Sequence, residues 1–520
     1  MIITNGTIVN ATSTQTADVR ITGELITQVA PGLAALYPDQ QTIDATGMLV
    51  LPGGVDPHTH MDLSVPPFRA SDDFLTGTIA AACGGTTTII DHLAQGPAGC
   101  SLQHQIDVYH GLAQGKAVID YAFHGVIGRV DDSILQQMET LPSLGVTSLK
   151  FYLTYDNRVS DEEIIRLLAR AKELDILCCV HCENHAMLSW LSQRLVSQGK
   201  TSQAYHPQSR PPACEAEAVF RVLSLAHAAG YPGDSAPLYL VHVSSAAGFL
   251  ASQCLPFPTH AILETCPQYL VLDDTLYAPE AADTDQGRQG DDPSVTFPAS
   301  PGHGDASPAG HGDGSPVTTA RQGNGPSATS PSVAQDDDKN GLKFIMSPPL
   351  RKTFDQDVLW QALAEGRIDT IGTDHCPFWL DPDKLQGASD FTQCPNGIPG
   401  VELRLALIHS EGVIKRGLPL ERFVQVCSTA PAQRFGLYPR KGAIAVGSDA
   451  DLVIFDPHKE VTVTHSLLHE RVDYTPYEGM HLIGYPITTI SRGSIVMQNG
   501  TFTGAPGQGR FLPCGPPQLP

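Results

Sequence analysis

Two histidines spaced two positions apart, His58 and His60, are the first candidates for chemistry in this sequence. They stand at the end of a short apolar, β-rich run at 54–58. Alternate residues of a strand project from the same face, so both imidazoles can bind one metal ion. Taken alone, the pair fits two ordinary polar residues at a strand end equally well, and its position among the other elements has to decide.

Three further side chains of the metal-binding kind stand at the ends of apolar runs. His181 closes the run at 176–181, His242 follows Tyr239-Leu240-Val241, and Asp374 closes the run at 370–374. Each alone fits a structural residue of the core or a cap. Five such residues on four predicted strands favour a shared site instead, and imidazole and carboxylate groups suit zinc or manganese.

A lysine, Lys150, interrupts the apolar strand that we predict at 147–153. Burying an ammonium group without a partner is costly. We therefore expect its amine to be neutral or chemically modified.

These residues need a scaffold, and the region 53–439 predicts one. Short β-rich runs alternate there with helical patterns, such as the capping box of Ser160 and Glu163 before a helix at about 160–174, and helices around 215–229 and 355–365. Eight strands with intervening helices predict a (β/α)8 barrel of the TIM type, and an open doubly wound sheet is the alternative. The predicted strands are 54–58, 86–91, 121–126, 147–153, 176–181, 238–243, 261–265 and 370–374.

The two ends of the chain resemble each other and differ from this middle region. Both alternate apolar and polar residues, with Asn5-Gly6 near the start and Asn499-Gly500 near the end as hairpin signals. We expect 1–52 and 440–503 to form a small β-sandwich domain beside the barrel at 53–439, with 504–520 as a C-terminal tail.

One segment, 279–340, breaks the barrel pattern between the seventh and eighth predicted strands. It holds 8 Pro, 9 Gly and 7 Ser among 62 residues, with ten acidic residues and few large apolar ones. Such a composition cannot offset its ordering entropy, so we predict a disordered acidic insertion. Its His303 and His311 are expected to be solvated rather than metal ligands.

Composition excludes several classes of partner. The formal net charge of -23 argues against nucleic acid and anionic membranes. There is no run of 18 apolar residues and no signal-peptide pattern at the start, so we expect the chain to stay in the cytosol. The 12 Cys lie mostly in apolar stretches and are expected to be buried thiols rather than disulfides.

Longer motifs narrow the assignment. The order HxH, Lys, His, His, Asp on predicted strands 1, 4, 5, 6 and 8 resembles the amidohydrolase superfamily, and the sequence outside 279–340 is similar to its dihydropyrimidinase and D-hydantoinase family. The motifs that carry this resemblance are GGTTTIID (84–91), SRPP (209–212), VHVSS (241–245), ETCPQY (264–269), SPPLR (347–351), GTDHCP (372–377) and PNGIPG (395–400).

The resemblance implies a role for each candidate residue. It implies two divalent metal ions, expected to be zinc, bridged by a carboxylated lysine at Lys150. It further implies a homotetramer, which would be cytoplasmic if the chain stays in the cytosol as its N-terminal pattern predicts. The implied residues are His58, His60 and Asp374 for the first metal, His181 and His242 for the second, Tyr155 as the donor to the oxyanion, and Ser347 and Asn396 as backbone contacts of the substrate.

The implied reaction is hydrolytic ring opening of 5,6-dihydropyrimidines or 5-substituted hydantoins to N-carbamoyl amino acids. A hydroxide shared by two metals about 3.5–4 Å apart would attack the ring amide, and Asp374 would move the proton. Allantoinase and dihydroorotase are alternatives, although the arginine that dihydroorotases typically carry shortly after HxH is missing from 61–65. A non-catalytic scaffold of the same family is a third alternative, which the complete ligand set disfavours.

Overall fold

A sheet of eight parallel strands organises the chain. The computed structural model describes residues 1–231, 238–256, 260–277 and 337–519. Each strand pairs with the next one along the chain, as in a barrel. The eight barrel strands are Gly54–Thr59, Thr86–His92, Asp120–Val126, Ser148–Tyr152, Leu177–His181, Leu238–Leu240, Ile262–Thr265 and Thr370–Ile371.

The first and eighth barrel strands meet at their carboxyl ends. Thr59 forms a parallel bridge with His375. The backbone N–H of Asp374 donates to the carbonyl of His58 at 2.9 Å, and that of His60 donates to the carbonyl of His375 at 2.9 Å. This contact closes the ring, which confirms the predicted barrel and excludes the open doubly wound sheet.

Two of the barrel strands end three residues earlier than predicted. The sixth ends at Leu240 and the eighth at Ile371, so His242 and Asp374 lie just beyond the paired segments. Both residues adopt left-handed backbone conformations, with φ of 42° and 54°. A residue in that conformation leaves the strand ladder, so each strand ends before the side chain that it delivers to the barrel mouth.

The helices follow the predicted alternation. In the helix Asp161–Glu173 the capping box of Ser160 and Glu163 is present, and Ile164, Leu168 and Ala171 are buried, as the spacing predicts. The main helices are Thr76–Cys83, Leu102–Ala113, Asp132–Gln137, Asp161–Glu173, His185–Ser197, Pro212–Ala228, Ala246–Gln253, Pro267–Val271, Thr353–Ala364, Arg404–Leu407, Leu420–Val424 and Ala430–Arg434. Among the described helices, none combines the length and the apolar character needed to cross a lipid bilayer.

Both ends of the chain form two mixed sheets that share an apolar core, as predicted for a sandwich. Ile3 and Val19 of one sheet pack in the same cluster as Ile8, Val50 and Leu452 of the other. The four-stranded sheet runs in the order Leu25–Ala30, Asp18–Thr22, Ile2–Thr4, Thr42–Asp44. The seven-stranded sheet runs in the order Thr501–Phe502, Ser494–Gln498, His481–Ser491, Leu452–Thr462, Leu49–Pro52, Thr7–Asn10, Ser13–Thr16.

One of the two predicted hairpins is wrong. Asn499-Gly500 does join two paired strands, and both of its residues have positive φ. Asn5-Gly6 joins strands that belong to different sheets. At Gly6 a Cβ atom would lie 2.4 Å from Val50, so the glycine serves the close passage of the chain between the sheets.

The predicted insertion 279–340, with His303 and His311, falls almost entirely outside the described residues. The domain limits at 52 and 440 stay a prediction. The last described segment is the predicted tail, and it packs against the barrel, because the N–H of Leu512 donates to the carbonyl of Tyr121 at 2.7 Å.

Candidate metal centre

Three of the predicted ligands converge where the barrel closes. His58 Nε2 and His60 Nε2 each lie 3.0 Å from Oδ1 of Asp374. The two histidines are buried, and the aspartate side chain is 17% exposed. One side-chain oxygen therefore faces two imidazole nitrogens, which is a donor set that fits a divalent metal ion.

A second pair of imidazoles lies on the fifth and sixth strands. Nδ1 of His181 lies 2.9 Å from Nε2 of His242, and both residues are buried. The ring planes of His242 and His58 are stacked with centroids 5.5 Å apart. The two pairs are therefore neighbours in one site.

Lys150 is buried on the fourth strand and makes no ion pair with any described residue. Its amine lies 5.6 Å from the centre of the Tyr152 ring. Burial lowers the pKa of the Lys150 amine, although Asp374 opposes this shift. The predicted neutral or modified state of this amine agrees with that direction.

Two carboxylates behind the histidines were missed by the sequence analysis. Glu264 Oε1 lies 2.6 Å from Nδ1 of His58 and accepts the backbone N–H of His242 at 3.0 Å. Glu183 Oε2 lies 2.8 Å from Nε2 of His181. Each carboxylate occupies one ring nitrogen and leaves the other nitrogen of His58 or His181 facing into the site. Carboxylates behind the ligands of metal sites orient histidines in the same way.

The charges of the site also suit a cation. Burial lowers the pKa of His60 to about 4 and lowers the pKa of His181, which keeps both imidazoles in the neutral form that binds metals. Burial alone would lower the pKa of His58, but Glu264 and Asp374 raise it to about 9. The two carboxylates thus favour a positive charge at His58. Either a proton or a metal ion can supply that charge.

Tyr155 stands beside the metal-site residues on the cavity wall. Burial raises the pKa of its hydroxyl to about 12, and the nearby Arg210 charge opposes the shift. The guanidinium of Arg210 lies 5.7 Å from the Tyr155 ring centre and also pairs with Glu183. Tyr155 is thus a protonated hydrogen-bond donor at neutral pH.

Three of the eight described non-glycine residues with positive φ belong to this site. Tyr155, His242 and Asp374 have φ of 71°, 42° and 54°, which are left-handed conformations that such side chains rarely adopt. Strain of this kind costs about 1–3 kcal/mol per residue and clusters at functional sites. The fold therefore holds these three side chains in positions that relaxed strand geometry would not give.

All nine residues predicted for the site line one cavity of about 740 Å³. The sequence analysis found the residues that face this cavity and missed Glu264, Glu183 and Arg210, which lie behind them. Glu264 and Arg210 belong to motifs that carried the resemblance, and Glu183 follows His181 by two positions. These motif positions and this spacing were the sequence signals that could have identified the three residues. The nine residues are His58, His60, Lys150, Tyr155, His181, His242, Ser347, Asp374 and Asn396.

Comparisons with known proteins identify the family and the fold of the chain. The model of the amidohydrolase family matches residues 49–226 and 317–496. D-phenylhydantoinase of Escherichia coli O9:H4 (strain HS) is 40% identical over 524 residues, covering 100% of both chains. The crystal structure of dihydropyrimidinase from Brevibacillus agri NCHU1002 has a TM-score of 0.85 and 38% identity, over 100% of this chain and 99% of that one. D-hydantoinase from Bacillus sp. AR9 has a TM-score of 0.84 and 38% identity, over 100% of both chains.

Proposed function

The chain belongs to the amidohydrolase family, and we propose that it is a cyclic amidohydrolase that opens 5-substituted hydantoins and 5,6-dihydropyrimidines to N-carbamoyl amino acids. The observation that carries the proposal is the single cavity that gathers all nine candidate residues. The names of the relatives support the same class of substrate.

The walls of the cavity support an uncharged ring with an apolar substituent. The residues that line it include the apolar Leu63, Val65, Phe68 and Phe378. Among the described residues that line it, Lys150 carries the only lysine or arginine side chain. A ring carboxylate would therefore lack the arginine partner that such groups usually have, which disfavours dihydroorotate.

Two divalent metal ions, for which we propose zinc, would be held by the convergent donors. His58, His60 and Asp374 would hold one ion, and His181 and His242 the other. A carboxylated Lys150 would add an anionic ligand to this donor set. The bound ions would supply a hydroxide at neutral pH and polarise the ring carbonyl. The neutral amine that burial favours at Lys150 is the form that adds to carbon dioxide to give the carbamate.

The protein groups would then direct the reaction. Asp374, whose Oδ1 faces the two histidines, would accept the water proton at Oδ2 and pass it to the leaving ring nitrogen. Tyr155 would donate its hydroxyl proton in a hydrogen bond to the carbonyl oxygen as negative charge develops there. Backbone groups of Ser347 and Asn396 would hold the cyclic amide in register.

A substrate panel with metal analysis on the same preparation tests this proposal. The panel contains D- and L-5-phenylhydantoin, dihydrouracil, dihydroorotate and allantoin. We expect ring opening of D-5-phenylhydantoin and dihydrouracil, with two metal ions per chain. Preferential turnover of dihydroorotate or allantoin would assign a different cyclic amidohydrolase, and a metal-free protein without turnover would favour the scaffold alternative.

We propose a cytosolic homotetramer. All 12 cysteines are free thiols, which suits a reducing compartment. Trp190 on the helix His185–Ser197 is 68% exposed, and an exposed tryptophan is typical of interfaces. Light scattering should give the mass of four chains, and Trp190→Glu should lower it if this helix lies in the interface.

A further inference from the structure

A second buried lysine, Lys384, lies outside the catalytic set and is fully buried. Its Nζ donates to the carbonyl of Ile345 at 2.8 Å and to that of Pro395 at 3.2 Å. It makes no ion pair with any residue that the structure describes. Burying an ammonium group is costly. Within the described part of the chain, the polar contacts of Lys384 are two backbone carbonyls, and this arrangement calls for an explanation.

The two carbonyls mark the two segments that carry the substrate-binding backbone groups. Ile345 precedes Ser347 by two residues, and Pro395 immediately precedes Asn396. Between these segments, the N–H of Gly397 also donates to the carbonyl of Ile345, at 3.1 Å. Lys384 and this backbone bond therefore join the two segments.

The space around the second segment is tight. A Cβ atom on Gly397 would lie 2.3 Å from the carbonyl oxygen of Cys376, in a backbone with φ of 151°. Lys384 contacts the carbonyl of Pro395 in this segment, and the carbonyl of Cys376 packs closely against Gly397. A small shift of Lys384 would thus move Asn396 relative to Ser347.

We propose that Lys384 is a positioning residue that sets the spacing between the backbone groups of Ser347 and Asn396, and thereby the affinity for the cyclic amide. The inference rests on the proposed function. It concerns binding of the ring rather than the metal centre, and no metal ligand contacts the ammonium group.

The test is Lys384→Met, which keeps a long unbranched side chain and removes the donors. We expect KM to rise about tenfold, the effect of weakening one or two hydrogen bonds, with kcat changed less and two metal ions retained. The rise should be equal for unsubstituted hydantoin and D-5-phenylhydantoin, because the affected contacts reach the ring. Phe68→Ala is the contrasting variant, expected to raise KM for the phenyl substrate alone.

Lys441→Met is the matched control, since it also removes a buried ammonium group but lies away from the cavity. It should lower stability and leave KM unchanged.

If Lys384→Met folds, keeps its metals and shows KM within twofold of wild type on both substrates, the inference is wrong. Should Lys384→Met fail to fold, Lys384→Gln retains one donor group, and its KM must still exceed the wild-type value. A wild-type protein without any ring-opening activity would instead contradict the proposed function.

Discussion

Two buried lysines, Lys150 in the barrel mouth and Lys441 at the junction with the terminal sheets, have opposite surroundings. Both side chains are about 1% exposed. Lys441 Nζ lies 2.6 Å from a carboxylate oxygen of Asp120, 3.0 Å from one of Asp449 and 2.6 Å from one of Asp451. Lys150 makes no ion pair with any described residue.

The contrast teaches how to distinguish a structural charge from a functional one. Burial alone would lower the pKa of Lys441, but Asp451 and Asp120 raise it above its usual value. At Lys150 burial prevails, and the pKa is lowered. The compensated charge of Lys441 joins parts of the fold, whereas the unpaired amine of Lys150 faces the cavity and is available for chemistry there.

The largest expected effect is that of Lys150→Met. Loss of the proposed carbamate ligand should abolish turnover and reduce the metal content below two ions per chain. The metal-free variant should be at least as stable as the metal-free wild type, because an apolar side chain replaces an unpaired amine. Kinetics, metal analysis and melting of the metal-free proteins check this. A variant with near wild-type activity and two metals would contradict the carbamate assignment.

Asp374→Asn should lower kcat by about 10²–10⁴-fold, because an amide cannot accept the proton. The fold should be retained. Asp369→Asn is the control, since Asp369 pairs with Arg434 and does not line the cavity. A kcat of Asp374→Asn within tenfold of wild type would assign proton transfer to another group.

Lys441→Met should lower the free energy of unfolding by about 3–5 kcal/mol, because three buried carboxylates lose a shared partner. Below the melting transition, kcat and KM should equal the wild-type values. Denaturant unfolding and steady-state kinetics measure the two effects. An unchanged stability would remove the contrast between the two lysines.

Arg210→Lys is the substitution with the smallest expected effect on catalysis. It changes a buried cation that, unlike Lys150, has a carboxylate partner in the site. The guanidinium can reach Glu183 and Tyr155 together, and an ammonium group cannot replace that fork. We expect kcat to fall about tenfold with the metal content unchanged. Arg221→Lys, which alters surface pairs with Asp161 and Glu217, should have no effect. Equal kinetics of the two variants would show that Arg210 does not orient Tyr155.

Sequence patterns predicted the residues that face the cavity because a barrel delivers them at strand ends. His58, His181 and Asp374 all terminate apolar runs, and the closed parallel sheet brings those ends together. Lys150 was recognisable because an ammonium group in an apolar strand is costly. For these residues, local pattern and tertiary position are directly linked.

The residues behind them could not be predicted in the same way. Glu264 holds His58 across 206 positions of sequence, and no local pattern encodes that distance. The positive φ values of Tyr155 and His242 depend on packing rather than on residue type. The Asn5-Gly6 signal predicted a hairpin, because the turn preference of these residues carries no information about which sheet each flanking strand joins.

The contact between the first and last barrel strands also has a consequence for the timing of biosynthesis. His60 and Asp374 share one site but are separated by 314 positions. At about 5–20 residues per second, the ribosome adds the aspartate roughly 15–60 s after the histidine. The complete centre therefore exists only after most of the chain has been made and the ring has closed. Loading of the proposed metal ions would then be a late event, and a stalled chain would expose His58 and His60 without the carboxylate of Asp374.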